Sequence, residues 1–173
     1  MLTKADIEQY FIAEKNASLF LLFAGAAAVV AAIMLLVLYK SGFGKGMAAT
    51  LMVLGVWQLY LGYAVYRQDE IRDRRRIDAV YAFDLDPVKL GTKEVPEVTH
   101  AVASIKRFLL IELVLIVAGI VLWLKFRQEA IWGGVGLGLI LGTLLMLGVE
   151  YFVYSKNMDY LRKLREFTAS KIT

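Results

Sequence analysis

Four long stretches of this chain are almost free of charge, and short charged segments separate them. Between Lys15 and Lys40 lie 24 residues with no charge, and between Lys45 and Arg67 lie 21 more with none. Between Arg107 and Lys125 lie 17 with only Glu112, and between Glu129 and Lys156 lie 26 with only Glu150. A helix needs about 20 apolar residues to cross about 30 Å of hydrocarbon. Three stretches meet this outright. The third is short, but Lys106, Arg107 and Lys125 at its ends have long stems that reach the headgroups. The pattern predicts four transmembrane helices over about 18–39, 46–66, 107–125 and 131–154. It shows none of the short, strictly alternating segments of a membrane β-barrel.

The polar segments predict how the spans connect. Thr3 is placed to cap a helix from Lys4, with Asp6 in the capping-box position. Ile7, Tyr10, Phe11 and Glu14 then share one face, as an amphipathic lead-in that either runs into the first span or lies in the interface. The glycine-rich "KSGFGKG" closes the first hairpin and "KFRQEAIWG" the second. Helix is expected to continue past Tyr66 into the arginine run. Asp86-Pro87 and Gly91 predict a loop, and Pro96 suits the first turn of a helix leading into the third span. The tail 155–173 extends the fourth helix, with Met158, Leu161, Leu164 and Phe167 near one face. The expected fold is all-α: one transmembrane domain over residues 1–173, built as two hairpins with helical cytoplasmic extensions in the connector 67–106 and the tail. "GYAVYRQ" and "EYFVYSK" close the second and fourth spans, a hint of parallel duplication or simply of interfacial tyrosines.

Composition agrees: 59% of residues are hydrophobic, against about 45–50% in soluble domains. Charge adds orientation. Sixteen Lys and Arg flank the ends that carry the termini and the connector, and four flank the other ends, namely Lys40, Lys45, Lys125 and Arg127. The positive-inside rule then puts both termini in the cytoplasm of a plasma (inner) membrane. The acidic lead-in and the length of the first apolar run argue against a cleaved signal peptide. No cysteine is present, which removes disulfides and thiol chemistry.

The basic cluster Arg67, Arg72, Arg74, Arg75 and Arg76 follows directly on the second span. Asp69, Glu70, Asp73 and Asp78 interrupt it, so it reads as a topology and helix-pairing element or a docking patch, and not as a nucleic-acid surface. Within the bilayer, Gly134, Gly138 and Gly142 form a double GxxxG, and Ala48, Gly55 and Gly62 repeat every seven residues. These are expected to be close-packing faces, within the chain or between copies. Gln58 lies on the Gly55–Gly62 face.

Glu112, Glu150, Gln58 and Glu14 are the candidate intramembrane polar site. Counted from the flanking cations, Glu112 and Glu150 sit at similar depth. They are readable as structural pairs, as part of a partner or ligand groove, or as an ion or proton site. His100 with Glu97 makes one Glu-x-x-His, but a di-metal bundle needs it twice and in the core, so no metal and no cofactor is expected. No nucleophile triad, P-loop or nucleotide fingerprint is present, and an enzyme is not expected.

Through "IEQYFIAEKNASLFLLF", "VYAFDLDP" and "KEVPEV" the chain resembles a set of bacterial four-span inner-membrane proteins of about this length, which have no assigned function. The resemblance implies the same topology and carries over no site residues. The expected role is a non-enzymatic accessory protein that binds a protein partner or itself within the lipid bilayer, an immunity-like protein being one form of it. The alternative is a small oligomeric channel or proton-coupled transporter using Glu112 and Glu150.

Overall fold

The structure, a computed structural model, describes residues 2–126 and 128–172, so Arg127 lies outside the described residues. All elements in it are helical: α1 (Lys4–Leu38), α2 (Gly42–Tyr66), α3 (Asp69–Leu85), the single turn α4 (Pro87–Lys89), a π-helical turn (Leu90–Glu94), α5 (Val95–Lys125) and α6 (Ala130–Ile172). Four of them are long and apolar enough to cross a membrane. The protein is an all-α, multi-pass membrane protein.

Local chemistry sets the helix ends. Thr3 Oγ1 accepts from the Asp6 N–H at 3.2 Å, and the Asp6 carboxylate accepts from the Thr3 N–H at 2.8 Å, a complete capping box. Ser41 Oγ accepts from the Gly44 N–H at 3.2 Å, so α2 begins at Gly42, earlier than the apolar stretch alone predicts.

Two expectations need correction. Helix does not run unbroken past Tyr66: Arg67 and Gln68 form a turn before α3. Arg72 Nη2 closes this break by donating to the Val65 carbonyl at 2.8 Å, which supplies a cation to the end of α2. The expected loop at 86–95 is almost entirely helical. Only Asp86 leaves the helix, and its side chain caps the Lys89 N–H at 3.1 Å. Pro96 has no N–H to offer the carbonyl four residues back, and the chain widens to a π turn in which the Val95 N–H bonds the Leu90 carbonyl.

The membrane helices form a row in the order α1, α2, α6, α5, with α1 also touching α6. Glycines set their spacing, because lipid offers no hydrophobic drive for helices to associate. A Cβ at Gly134 would collide with the Phe43 carbonyl, and one at Gly46 with the Ile131 carbonyl, so α2 and α6 meet backbone to backbone. Gly138 lies against Met47 and Thr50, and Gly142 against Leu54. The double GxxxG face is therefore filled by α2 of the same chain. Gly55 faces Gly25 of α1, and Gly62 faces Ser18 and Leu22. A further pair, Gly119 and Gly136, joins α5 to α6.

Beyond the membrane segments, the first turns of α1, all of α3, the π turn, the start of α5 and the end of α6 enclose a second core. Ile7, Phe11, Leu90, Val98, Leu161 and Leu164 are buried in it. Tyr10 stacks on Tyr160 at 4.2 Å and Phe83 on Phe167 at 4.8 Å. The amphipathic lead-in thus runs straight into the first span and turns its apolar face to this head. Met158, expected beside Leu161, points outward instead. Ion pairs Lys15–Asp69 (3.0 Å) and Lys4–Asp84 (2.6 Å) align α3 antiparallel to α1. Exposed pairs of this kind contribute about 0–1 kcal/mol each, so they fix register more than stability.

Candidate functional site

The polar residues of the spans fall into two groups. The deeper group is buried between helices. Gln58 is 1% exposed and its Oε1 has no hydrogen-bond partner, so the expected interhelical bond is not made by that atom. Glu112 is 3% exposed with both carboxylate oxygens unpartnered, and Thr143 is fully buried with its hydroxyl unpartnered. Thr143 gives no sign of itself in the sequence, because a lone threonine in "ILGTLLM" carries no periodic signal.

The register of α5 on α6 separates Glu150 from this group. An added Cβ on Gly119 would meet Gly136, Leu139 and Ile140, and one on Gly136 would meet Gly119 and Trp123. Followed along the antiparallel pair, this puts Glu112 opposite the turn after Thr143 and Glu150 opposite Arg107. The two carboxylates are therefore about five residues apart along the axis, roughly 8 Å. Counting inward from the flanking cations, which puts them at one depth, fails because α6 continues as helix well past Lys156.

Glu150 instead lines a cleft of about 750 Å³ where all four membrane helices leave the bilayer toward the head. Glu14, Ser18 and Leu21 come from α1, Leu61 and Val65 from α2, Ser104, Ile105 and Phe108 from α5, and Glu150 and Val153 from α6. Arg72 and Arg75 of α3, with Gln68 and His100, close its head side. Among the described residues α5 packs along α6 and has no packed interface with α1 or α2, while residues of all four helices line the cleft. Two residues of the arginine run thus share one cavity with two of the membrane carboxylates. Arg67 and Arg74 are exposed, and Arg76 pairs loosely with Asp73 at 3.6 Å.

The hydrogen-bond network around the cleft is partly closed. Arg75 donates to both Glu94 oxygens at 2.8 and 3.2 Å and also pairs with Glu97 at 2.9 Å. Its guanidinium lies 5.5 Å from the centre of the Phe11 ring. Burial pushes the Glu94 carboxyl up, and Arg75 pulls it back toward the charged form. Tyr10 donates to Glu14 at 2.8 Å, with Asn157 Oδ1 at 3.3 Å. Burial first, then the Glu14 charge, push the Tyr10 phenol up, so it stays a donor. Glu97 is engaged by Arg75, which ties it to the head and not to His100.

Among the residues lining the cleft, Arg72 Nη1 and Glu150 Oε2 are buried atoms without partners. The cleft is thus lined by residues of both charges, Glu14 and Glu150 with Arg72 and Arg75, above apolar walls. Comparison of the chain with protein-family models, curated proteins and solved structures finds no match.

Proposed function

We propose that this is an accessory protein of a bacterial plasma membrane, with head and termini in the cytoplasm, that acts by binding another protein and not by catalysis. The sixteen-to-four division of Lys and Arg supports the orientation. The outer face of α3 carries the binding role. Ile77, Tyr81 and Leu85 are each between 61% and 66% exposed there, with Asp78 between them. The pairs Lys15–Asp69 and Lys4–Asp84 hold α3 alongside α1, so it points away from the bilayer. Leu85 then stands 16 residues beyond Asp69, roughly 24 Å along the helix. At that height lipid cannot cover it. Large apolar side chains with interleaved charges on a water-facing helix have the make-up of a protein contact. An immunity-like role is one concrete form.

The test is a photo-crosslinking residue at Tyr81 or Leu85, with Asp73 on the same helix as control, followed by mass spectrometry from intact cells. One heterologous protein captured from Tyr81 and Leu85 but not from Asp73 is the expected result. No adduct, or adducts only between copies, would move the weight to the second reading.

That second reading is a channel or proton-coupled carrier. The buried, unpartnered oxygens of Gln58, Glu112, Thr143 and Glu150 favour it. The unbroken course of all four spans counts against it, since carrier sites are typically built on interrupted helices. Proton flux in proteoliposomes that is lost in Glu112→Gln or Glu150→Gln would establish it. Unchanged flux in both would dispose of the site.

A further inference from the structure

We propose that two copies of this chain pair in the bilayer through the outward face of α2, with the hydroxyls of the two Tyr60 side chains hydrogen-bonded at its centre. This does not depend on the protein-binding role of α3.

The glycine side of α2 is taken up inside the chain, since Gly55 and Gly62 meet α1 and Gly46 meets α6. Tyr60 stands on the other side of the helix, roughly 160° around from Gly62. Around it lie Val53, Val56, Trp57 and Tyr63, and all five are between 47% and 69% exposed. Lys45 and Arg67 bound this span, with 21 uncharged residues between them. Tyr60 is seven residues inside Arg67, roughly 10 Å along the axis, and Trp57 is one turn deeper. Helical side chains lean toward the N-terminus, which carries the Tyr60 hydroxyl away from the near interface and toward the bilayer centre. The other exposed Trp and Tyr residues of the described spans all lie within five residues of a charge at a span end, where headgroups and water serve them. The lipid-exposed face of α5 shows only aliphatic side chains at mid-span, among them Val114, Val117 and Val121.

The rings of Trp57 and Tyr60 lie 5.8 Å apart, and neither side chain makes a hydrogen bond among the described residues. Acyl chains supply no acceptor, and an unsatisfied polar group in hydrocarbon is costly. A second copy supplies what is missing. Copies in one bilayer share their orientation, so a two-fold axis along the membrane normal sets α2 against α2 at equal depth. Each group then meets its own kind. A hydroxyl both donates and accepts, so one Tyr60 donates to the other, and the remaining lone pairs can accept the Trp57 N–H, which only donates. No charge between Lys45 and Arg67 repels its counterpart. Arg67 is exposed at the head end, in water, where such repulsion is screened. Three aromatic side chains of about 150–250 Å² each, half exposed, with two valines, offer roughly 500 Å² per copy, and about 1,000 Å² in the pair is what a specific interface needs.

The chain has no cysteine, so single cysteines report the face. Val53→Cys and Val56→Cys, oxidised in native membranes, should form disulfide-linked dimers, and Val114→Cys on α5 should not. The full chain in liposomes, diluted with lipid and counted by single-molecule photobleaching, should pass from two copies per spot to one. Tyr60→Phe should need a roughly tenfold higher protein-to-lipid ratio for half pairing, the scale of interhelical hydrogen bonds. It removes one outward oxygen and leaves the packing of α2 on α1 and α6 as it is, so the fold is kept. Single copies at every ratio, dimers from Val114→Cys as readily as from the α2 positions, or pairing unchanged in Tyr60→Phe would overturn the proposal. Crosslinks from Val53→Cys to a different protein in place of a second copy would overturn it in favour of another membrane partner.

Discussion

Adding one methyl group at Gly134 should separate α2 from α6. The new Cβ would collide with the Phe43 carbonyl oxygen and stand 2.9 Å from both the Met47 nitrogen and the Phe43 carbonyl carbon. These are backbone atoms inside a helix, so none can swing aside. Ordinary contact begins near 3.4 Å, and the two 2.9 Å contacts alone require about 0.5 Å of opening, with the carbonyl contact requiring more. A gap of 0.5–1 Å forfeits a quarter to a half of each dispersion contact along the seam. Overpacking of this kind costs about 1–3 kcal/mol, and the helix preference of Ala over Gly returns about 1. A net loss of up to about 2 kcal/mol is expected for Gly134→Ala in detergent unfolding followed by circular dichroism. Gly148 on the same helix is the internal control, since nothing lies within 4 Å of an added Cβ there. Gly148→Ala should be neutral or stabilising by up to about 1 kcal/mol. If the two substitutions behave alike, the glycine seam does not set the α2–α6 spacing.

Glu94→Gln should destabilise the head by roughly 1.5–3 kcal/mol, because it strips the bidentate partner from a half-buried Arg75 that keeps only Glu97; amide exchange in α3 and the π turn would report it. The Asp6 carboxyl is held below its ordinary value of 3.8, chiefly by its bond to Lys163 and then by Thr3. A lowered folded value means that this contribution is complete above about 3.8 and fades as pH falls through the folded value, so acid unfolding of the head should flatten in that window in Asp6→Asn. A cysteine at Ser41 should label from outside intact cells and one at Thr92 should not, since both are exposed at opposite ends of the bundle. The reverse labelling would invert the proposed topology.

The spans are legible because bilayer thickness acts on composition alone, and charge-free runs of about 20 residues rarely serve another purpose. The Thr3–Asp6 cap and the use of Gly134, Gly138 and Gly142 as a contact face can be read for a similar reason: each rests on residues three or four apart. The cleft cannot be read in this way. Glu14, Arg72 and Glu150 lie on three different helices, and only the assembled register brings them together. That register depends on Gly119 and Gly136, two glycines that form no repeat with each other in the sequence. The π turn reads as a loop because Asp86-Pro87 and Gly91 are genuine breakers. Burial of Leu90 and Glu94 against the head overrides their local preference.

The stack of Tyr10 on Tyr160 also bears on biosynthesis. The partner of Tyr10 is made about 150 residues after it, and at 5–20 residues per second that is roughly 8–30 s of translation. Throughout that interval Ile7, Tyr10 and Phe11 have no Leu161 or Leu164 to rest against. An early insertion of the first hairpin would leave its leading helix with an uncovered apolar face until the end of α6 is made. Closure of the head is thus a late event, and it requires the start of α1 and the end of α6 to lie on one side of the membrane. A chain with one span left out would place residues 160–167 across the bilayer from Ile7, Tyr10 and Phe11 and leave that face uncovered.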